Sequence, residues 1–233
     1  MIKVLKTWDE IGEAVIHLQE LGVTTHHQPQ KNWDLYNMLQ VIEKNAGKSE
    51  AILDVGARGC PVLEMLFKRG YSNLYGVDLK FDFQEIFNRV VMAALHRRDF
   101  RFLRGYSPIK LKNANLCKTG FPKNKFMAIT SLSVVEHGVP WDDYFKEMSR
   151  ILKPGGYLLT STDFWHEEIN TNEIFICGAP MRIFTPKDIT QALSIAYKYG
   201  FKEMSESIEN TKQQCVTCNG IQYTFLLFVL QKV

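Results

Sequence analysis

The chain has 233 residues, 45% hydrophobic and 12% aromatic, with a formal charge of +3. That is enough apolar material for one substantial core, near the upper end of single-domain size, and too little charge to predict a polyanionic partner. No run of about 18 apolar residues suggests a membrane span. Met1–Glu10 does not read as a signal peptide, because charges interrupt any apolar stretch, so a cytoplasmic protein is expected. Its five cysteines (60, 117, 177, 215 and 218) are odd in number and scattered, which reads as reduced thiols. Cys215-x-x-Cys218 lacks a second pair at zinc spacing, so no metal site is expected.

In chain order, residues 8 to 47 look helical, with Ile11, Ala14, Val15, Leu18 and Leu21 recurring on one face. Thr24–Pro29 breaks this segment, and a second helix begins at Lys31; His26 and His27 read as a surface turn. From Ala51 the pattern alternates. Strands are expected near 51–56, 73–79, 101–105, 126–132 and 156–161, and helices near 61–69, 83–96 and 141–152. Such alternation implies a parallel sheet with right-handed crossovers. Tyr144, Phe145, Met148, Ile151 and Leu152 recur at helical spacing and are assigned to the core. A further helix follows Thr185-Pro186, proline taking the first turn, and ends near Gly200. Strands at 202–208 and 223–230 finish the chain.

The most informative stretch is Ala51-Ile-Leu-Asp-Val-Gly-Ala-Arg-Gly59, followed by Leu74-Tyr-Gly-Val-Asp-Leu79. An apolar strand ends near Asp54, a glycine-bearing turn follows, and a second strand ends in Asp78. Glycine lets backbone approach a ligand, and an acid at the next strand tip accepts bonds from ribose hydroxyls. A dinucleotide would set its pyrophosphate beside Asp54 and be repelled. S-adenosylmethionine has no phosphate and carries an ammonium and a sulfonium, so it is the expected cofactor rather than NAD.

With Asn115-Leu116, Gly120-Phe-Pro122, Ser131-Leu-Ser-Val-Val-Glu-His-Gly138 and Phe145–Tyr157 (ending Leu-Lys-Pro-Gly-Gly-Tyr), the chain resembles class I S-adenosylmethionine-dependent methyltransferases over roughly residues 50 to 162. The resemblance implies a Rossmann-like α/β fold: a seven-stranded, mostly parallel sheet closed by an antiparallel hairpin, helices on both faces and an N-terminal helical cap. It also implies one domain over 1–233, divided into a cap at 1–48, a cofactor core at 49–162 and a substrate side at 163–233. Asp54, Gly56, Ala57, Arg58, Gly59, Asp78, Leu79, Asn115, Leu116 and Ser131 fall on its cofactor motifs.

Three positions depart from the family pattern. Arg58 and Cys60 stand where glycines are usual. Gly59 could supply the backbone freedom while Arg58 points to solvent, or Arg58 could meet the cofactor carboxylate or the acceptor. Asn115 replaces an aspartate, and its amide oxygen can still accept from the adenine amine.

Chemistry is expected beyond the fourth and fifth strands, the edge where open α/β sheets bind ligands. His137 titrates near neutrality and suits general-base work; alternatively Glu136 and His137 only shape the pocket. Some relatives bind a divalent ion through Glu-x-x-Glu-His. Here Ser133 replaces the first acid, so no metal is expected. Asp163 is a second candidate base, and Trp165 and His166 beside it are candidate acceptor contacts, or packing beneath the Glu167–Phe184 insertion. That insertion is long enough to serve as a lid.

An acid beside aromatic rings suits a sugar, so O-methylation of a sugar or glycan hydroxyl is the expected activity. Methylation of RNA or protein is a rival, suggested by the basic cluster His96–Arg104, which reads rather as a solvated helix end. A cofactor-binding module without catalysis is another rival.

Overall fold

In a computed structural model the described residues are 1–81, 84, 87, 91, 94–95, 109–171, 174–176, 178–203 and 208–233. The strands are β1 (Ile2–Val4), β2 (Ile52–Val55), β3 (Leu74–Asp78), β4 (Ile109–Asn113), β5 (Phe126–Leu132), β6 (Leu152–Phe164), β7 (Phe175–Ile176), β8 (Ala179–Pro180), β9 (Phe201–Glu203), β10 (Val216–Cys218) and β11 (Ile221–Lys232). The helices are α1 (Trp8–Glu20), α2 (Lys31–Asn45), α3 (Pro61–Lys68), α4 (Trp141–Ile151) and α5 (Pro186–Lys198). The main sheet runs β1-β11-β6-β5-β2-β3-β4, seven strands along its path. β4, β3, β2, β5 and β6 are parallel, and β11 is antiparallel to β6. This is the Rossmann-like α/β architecture expected.

Local chemistry explains the helices. Thr7 caps α1 by accepting from the Glu10 N–H at 3.3 Å, and Ile11, Ala14 and Leu18 bury one stripe. Thr185 and Asp188 form a reciprocal capping box at the start of α5. α1, α2 and α3 pack on one sheet face. On the other face, α4 buries Tyr144, Phe145, Met148 and Ile151 beside α5, as the helical spacing required.

Several expectations are corrected. The N-terminal segment carries, besides its two helices, an unexpected strand: β1 pairs antiparallel with β11 through Ile2↔Phe228 to Val4↔Leu226. The outer side of β11 is shared among β10 at Ile221–Tyr223, β1 at Leu226–Phe228 and β9 at Leu230–Lys232, not taken by one hairpin partner. The strand beside β3 is 109–113. Residues 101–105 and the basic cluster at 96–104 lie outside the described residues, as do most of the expected helix at 83–96 and Cys177. β6 begins at Leu152 and runs on to Phe164, because its long ladder with β11 satisfies the backbone as far as Asp163 and Phe164.

Candidate active site

The carboxyl ends of β2, β3 and β5 open onto a cleft of about 490 Å³. Gly56, Arg58, Asp78, Leu79, Leu116 and His137 are among the residues that line it. Gly56 has φ +72°, and a Cβ there would lie 2.2 Å from Val134 Cγ2. Its N–H and that of Ala57 donate to the Val77 carbonyl at 2.8 and 3.1 Å, which folds the turn against β3. The second left-handed residue of the turn is Cys60 (φ 54°), not Gly59; its thiol donates to the Ala57 carbonyl at 3.2 Å. The backbone freedom expected of Gly59 therefore resides at Gly56 and Cys60. Gly56→Ala is expected to combine left-handed strain with overpacking, about 2–4 kcal/mol in all, read as a lower unfolding midpoint and weakened cofactor binding.

Asp78 stands at the tip of β3 with one carboxylate oxygen accepting from the Lys80 N–H at 3.1 Å, which leaves acceptor capacity toward the cleft. Leu79 is 76% exposed and lines the cleft as a bare apolar wall. Exposure of so large an apolar side chain at a cleft suits the flat face of a base. Arg58 is exposed at the rim. Asn115 is exposed, and its amide oxygen accepts from the Cys117 N–H at 2.8 Å, capping a short 3-10 turn; Ala114 and Leu116 line the cleft in its place. Ser131 is fully buried under the cleft floor.

Asp54 is buried at the end of β2 and accepts from the Thr130 hydroxyl at 2.6 Å. Burial pushes its carboxyl up to about 7, with Asp78 adding to the rise and the Thr130 bond opposing it. A carboxylate waiting without a counter-charge suits a cofactor end that carries an ammonium.

A second group lies where β5 and β6 end beneath α2. Glu136 is buried and accepts from the Thr162 hydroxyl at 3.1 Å. Asp163 is 6% exposed, beside the Tyr223 hydroxyl. Burial, with their mutual repulsion at Asp163, raises the carboxyls of both to about 7. Between this group and the cofactor cleft stands His137, whose Nδ1 is buried without a hydrogen-bond partner. Burial lowers its pKa below the usual 6.5; nearby Asp163 works against that fall and Lys31 with it. The ring is therefore neutral at physiological pH and can accept a proton.

Two members were missed by sequence reasoning. Asp34 of α2 is fully buried; the Ser161 hydroxyl lies against it, and neither carboxylate oxygen has a partner at full hydrogen-bond geometry. Burial lifts it to about 7, opposed by Lys31 and by the Ser161 hydroxyl and reinforced by Asp163. Lys31 bonds the Ser133 hydroxyl and lies 3.9 Å over the Phe225 ring. The available signal was the run of polar residues (Asn32, Asp34, Asn37) on the buried face of α2.

The Asp34 shift has a thermodynamic sign. The folded pKa is raised, so the unfolded chain loses its proton first. Stability from this group is present below about pH 4 and declines as pH rises toward 7. Asp34→Asn is expected to raise the melting temperature by several degrees at about pH 8, an effect of order 1–4 kcal/mol, and to change it little near pH 4. Scanning calorimetry at the two pH values checks this.

Trp165 and His166 fall outside the cleft lining. Trp165 is half-buried against the core on the face of the sheet that α1 and α2 cover, and its backbone N–H donates to the Phe184 carbonyl at 3.0 Å. His166 Nε2 accepts from the Thr211 N–H at 3.0 Å, so it fastens the segment before β10. The insertion forms the β7–β8 hairpin, and Gly178 and Ala179 reach the cleft wall. His26 and His27 stack in the turn before α2. Among the described residues no three His, Cys, Asp or Glu side chains gather as a metal site, and no helix is long and apolar enough to cross a membrane.

A glycine turn, an acid at the next strand tip and an apolar wall on this sheet fit the nucleoside-cofactor class of α/β enzymes. Within it, residues 53–160 match the family model described as a methyltransferase domain, a little under half of the chain. Over those residues the chain is similar to methyltransferase domains.

Solved structures share the fold at low identity. The YcgJ protein of Bacillus subtilis is 16% identical with a TM-score of 0.59, the match covering 85% of this chain and 97% of that one. The geranyl diphosphate C-methyltransferase of Streptomyces coelicolor, solved with Mg2+, geranyl diphosphate and S-adenosyl-L-homocysteine, is 18% identical with a TM-score of 0.59, over 91% of this chain and 85% of that one. The [4+2]-cyclase SpnF is 16% identical with a TM-score of 0.57, over 97% and 93%. The sequence matches no curated protein.

Proposed function

We propose that the chain transfers a methyl group from S-adenosylmethionine to a hydroxyl of a small acceptor, a sugar or glycan unit, with His137 as general base. The observation that carries this is a neutral imidazole on the wall of the cleft, its Nδ1 buried without a partner and Asp163 near enough to act on its charge. When bound, the cofactor supplies an electrophilic methyl group on sulfur. Asp78 would hold the ribose, Leu79 and Leu116 the base, and Asp54 would face the cationic amino-acid end. A hydroxyl is a poor nucleophile until its proton leaves; His137 would take that proton on its imidazole, and the nearby Asp163 carboxylate would stabilise the resulting imidazolium. Alignment of acceptor oxygen, methyl and sulfur supplies much of the remaining rate. The whole chain is read as one catalytic unit, which the insertion of β1 into the main sheet supports.

Incubation with methyl-labelled cofactor and a panel of sugars, glycans and other metabolites, read by mass spectrometry, tests the acceptor class. Label appearing only on carbon, on RNA or on protein would overturn it. No metal role is proposed, because Ser133 stands where relatives place a ligand. Activity is expected to survive exhaustive chelation; loss restored by magnesium, manganese or zinc would show a complete site.

A further inference from the structure

We propose that the buried carboxyls of Asp34, Glu136 and Asp163 form a subsite for a protonated amine carried by the acceptor. This rests on reading the cleft beside His137 as the acceptor chamber. The three acids come from separate elements and repel one another electrostatically: Asp34 from α2, Glu136 from the segment after β5, and Asp163 from the end of β6. The other titratable groups facing them are Lys31 of α2, His137, Tyr223 of β11 and Cys218 of β10. Of these, Lys31 is the cation, so one positive charge answers three carboxyls in a closed, low-dielectric space. Burying acids without counter-charges is costly, and such an arrangement is expected where a ligand completes it.

Two further observations point to a ligand. Asp34 is fully buried, no cation bonds either of its oxygens, and the polar group against it is the buried Ser161 hydroxyl, which has no other partner. The site also already accommodates an alkylammonium: the Lys31 Nζ bonds Ser133 and rests 3.9 Å over the Phe225 ring, next to the acids. Carboxylates and an aromatic face are what an ammonium group prefers. Ser133, which Lys31 bonds, and His137, which Asp163 influences, both line the cleft, so these two residues connect it to the acids. The cofactor's own ammonium is assigned elsewhere: under the proposed function Asp54 and the Gly56 turn would face its amino-acid end on β2, two strands from β6 in the sheet. An acceptor bearing an amine near the methylated hydroxyl, such as an amino sugar, fits this chamber.

The test uses the full chain saturated with S-adenosylhomocysteine, at about pH 7.5, where a simple primary amine is charged. Ethanolamine is titrated against ethylene glycol, its neutral counterpart, by ligand-observed NMR. Ethanolamine is expected to bind about tenfold more tightly or better. Asp34→Asn should weaken it by about tenfold, whereas Lys31→Met should strengthen it by removing the resident cation. Asp163→Asn serves as a second variant should Asp34→Asn fail to fold.

Equal binding of the two probes, or ethanolamine affinity unmoved by both acid variants, would overturn the subsite. So would a loss of S-adenosylhomocysteine affinity in Asp34→Asn, which would assign the acids to the cofactor's ammonium. Methylation of neutral sugars without amine preference would sink this inference and leave the proposed function standing. Amine binding without any hydroxyl methylation would do the reverse.

Discussion

His137→Ala is expected to lower kcat by about 10²–10⁴-fold while S-adenosylhomocysteine binds normally, because the variant loses the group that takes the acceptor proton and nothing that holds the cofactor. The pH profile makes the expectation specific. A base works deprotonated, so kcat/KM falls as pH drops through its pKa. For His137 that limb lies below 6.5, since burial lowers the ring, whereas a carboxyl base drawn from Asp163 or Glu136 would place the limb near 7. The carboxyls repel one another, so a limb near 7 would belong to the group and not to one residue. A parent limb below 6.5 that flattens in His137→Ala supports the imidazole. A loss smaller than about tenfold, with an unchanged profile, would make His137 a pocket wall and leave the carboxyls as the base.

The second large effect is expected at the cofactor. Asp78→Ala removes a charged acceptor for the ribose hydroxyls, at about 1.5–3 kcal/mol for each charged hydrogen bond lost. The Lys80 N–H that bonds Asp78 would be released to solvent at little cost. Calorimetry should show S-adenosylhomocysteine affinity falling by at least about tenfold, with the melting temperature of the free protein near the parent value. Unchanged affinity would remove Asp78 from the cofactor site. A parent protein that binds NAD and not S-adenosylhomocysteine would remove the site assignment altogether.

Gly56 and Asp34 differ in how far their roles are legible in the sequence. Gly56 can be read because its requirement is local: a strand, a tight turn and a helix occupy neighbouring residues, and the left-handed backbone there admits glycine at least cost. The acid at the tip of β3 and the apolar stripes of α1 and α4 are local in the same sense. Cys60 shows the limit even here. Its left-handed conformation puts a side chain where the glycine pattern predicted none, and a hydrogen bond to the Ala57 carbonyl accompanies it.

By itself the sequence determined the α/β class, the glycine turn after β2, the position of Asp78 at the tip of β3 and the placing of His137 beyond β5, whereas Asp163, expected after a strand, lies within β6. These follow from periodicities of two and 3.6 residues and from turn chemistry, which act over a few positions. Only the tertiary structure decided that Ile2–Val4 joins β11, a pairing across more than two hundred residues that no local pattern encodes. It alone also decided that Trp165 packs against the core, that His166 fastens the segment before β10, and that Asp34 lies under the sheet edge with Glu136 and Asp163. An acid in the first turn of a helix is favoured by the helix dipole wherever that helix lies. Asp34 therefore looks like an ordinary helix start until long-range packing of α2 against β5 and β6 buries it.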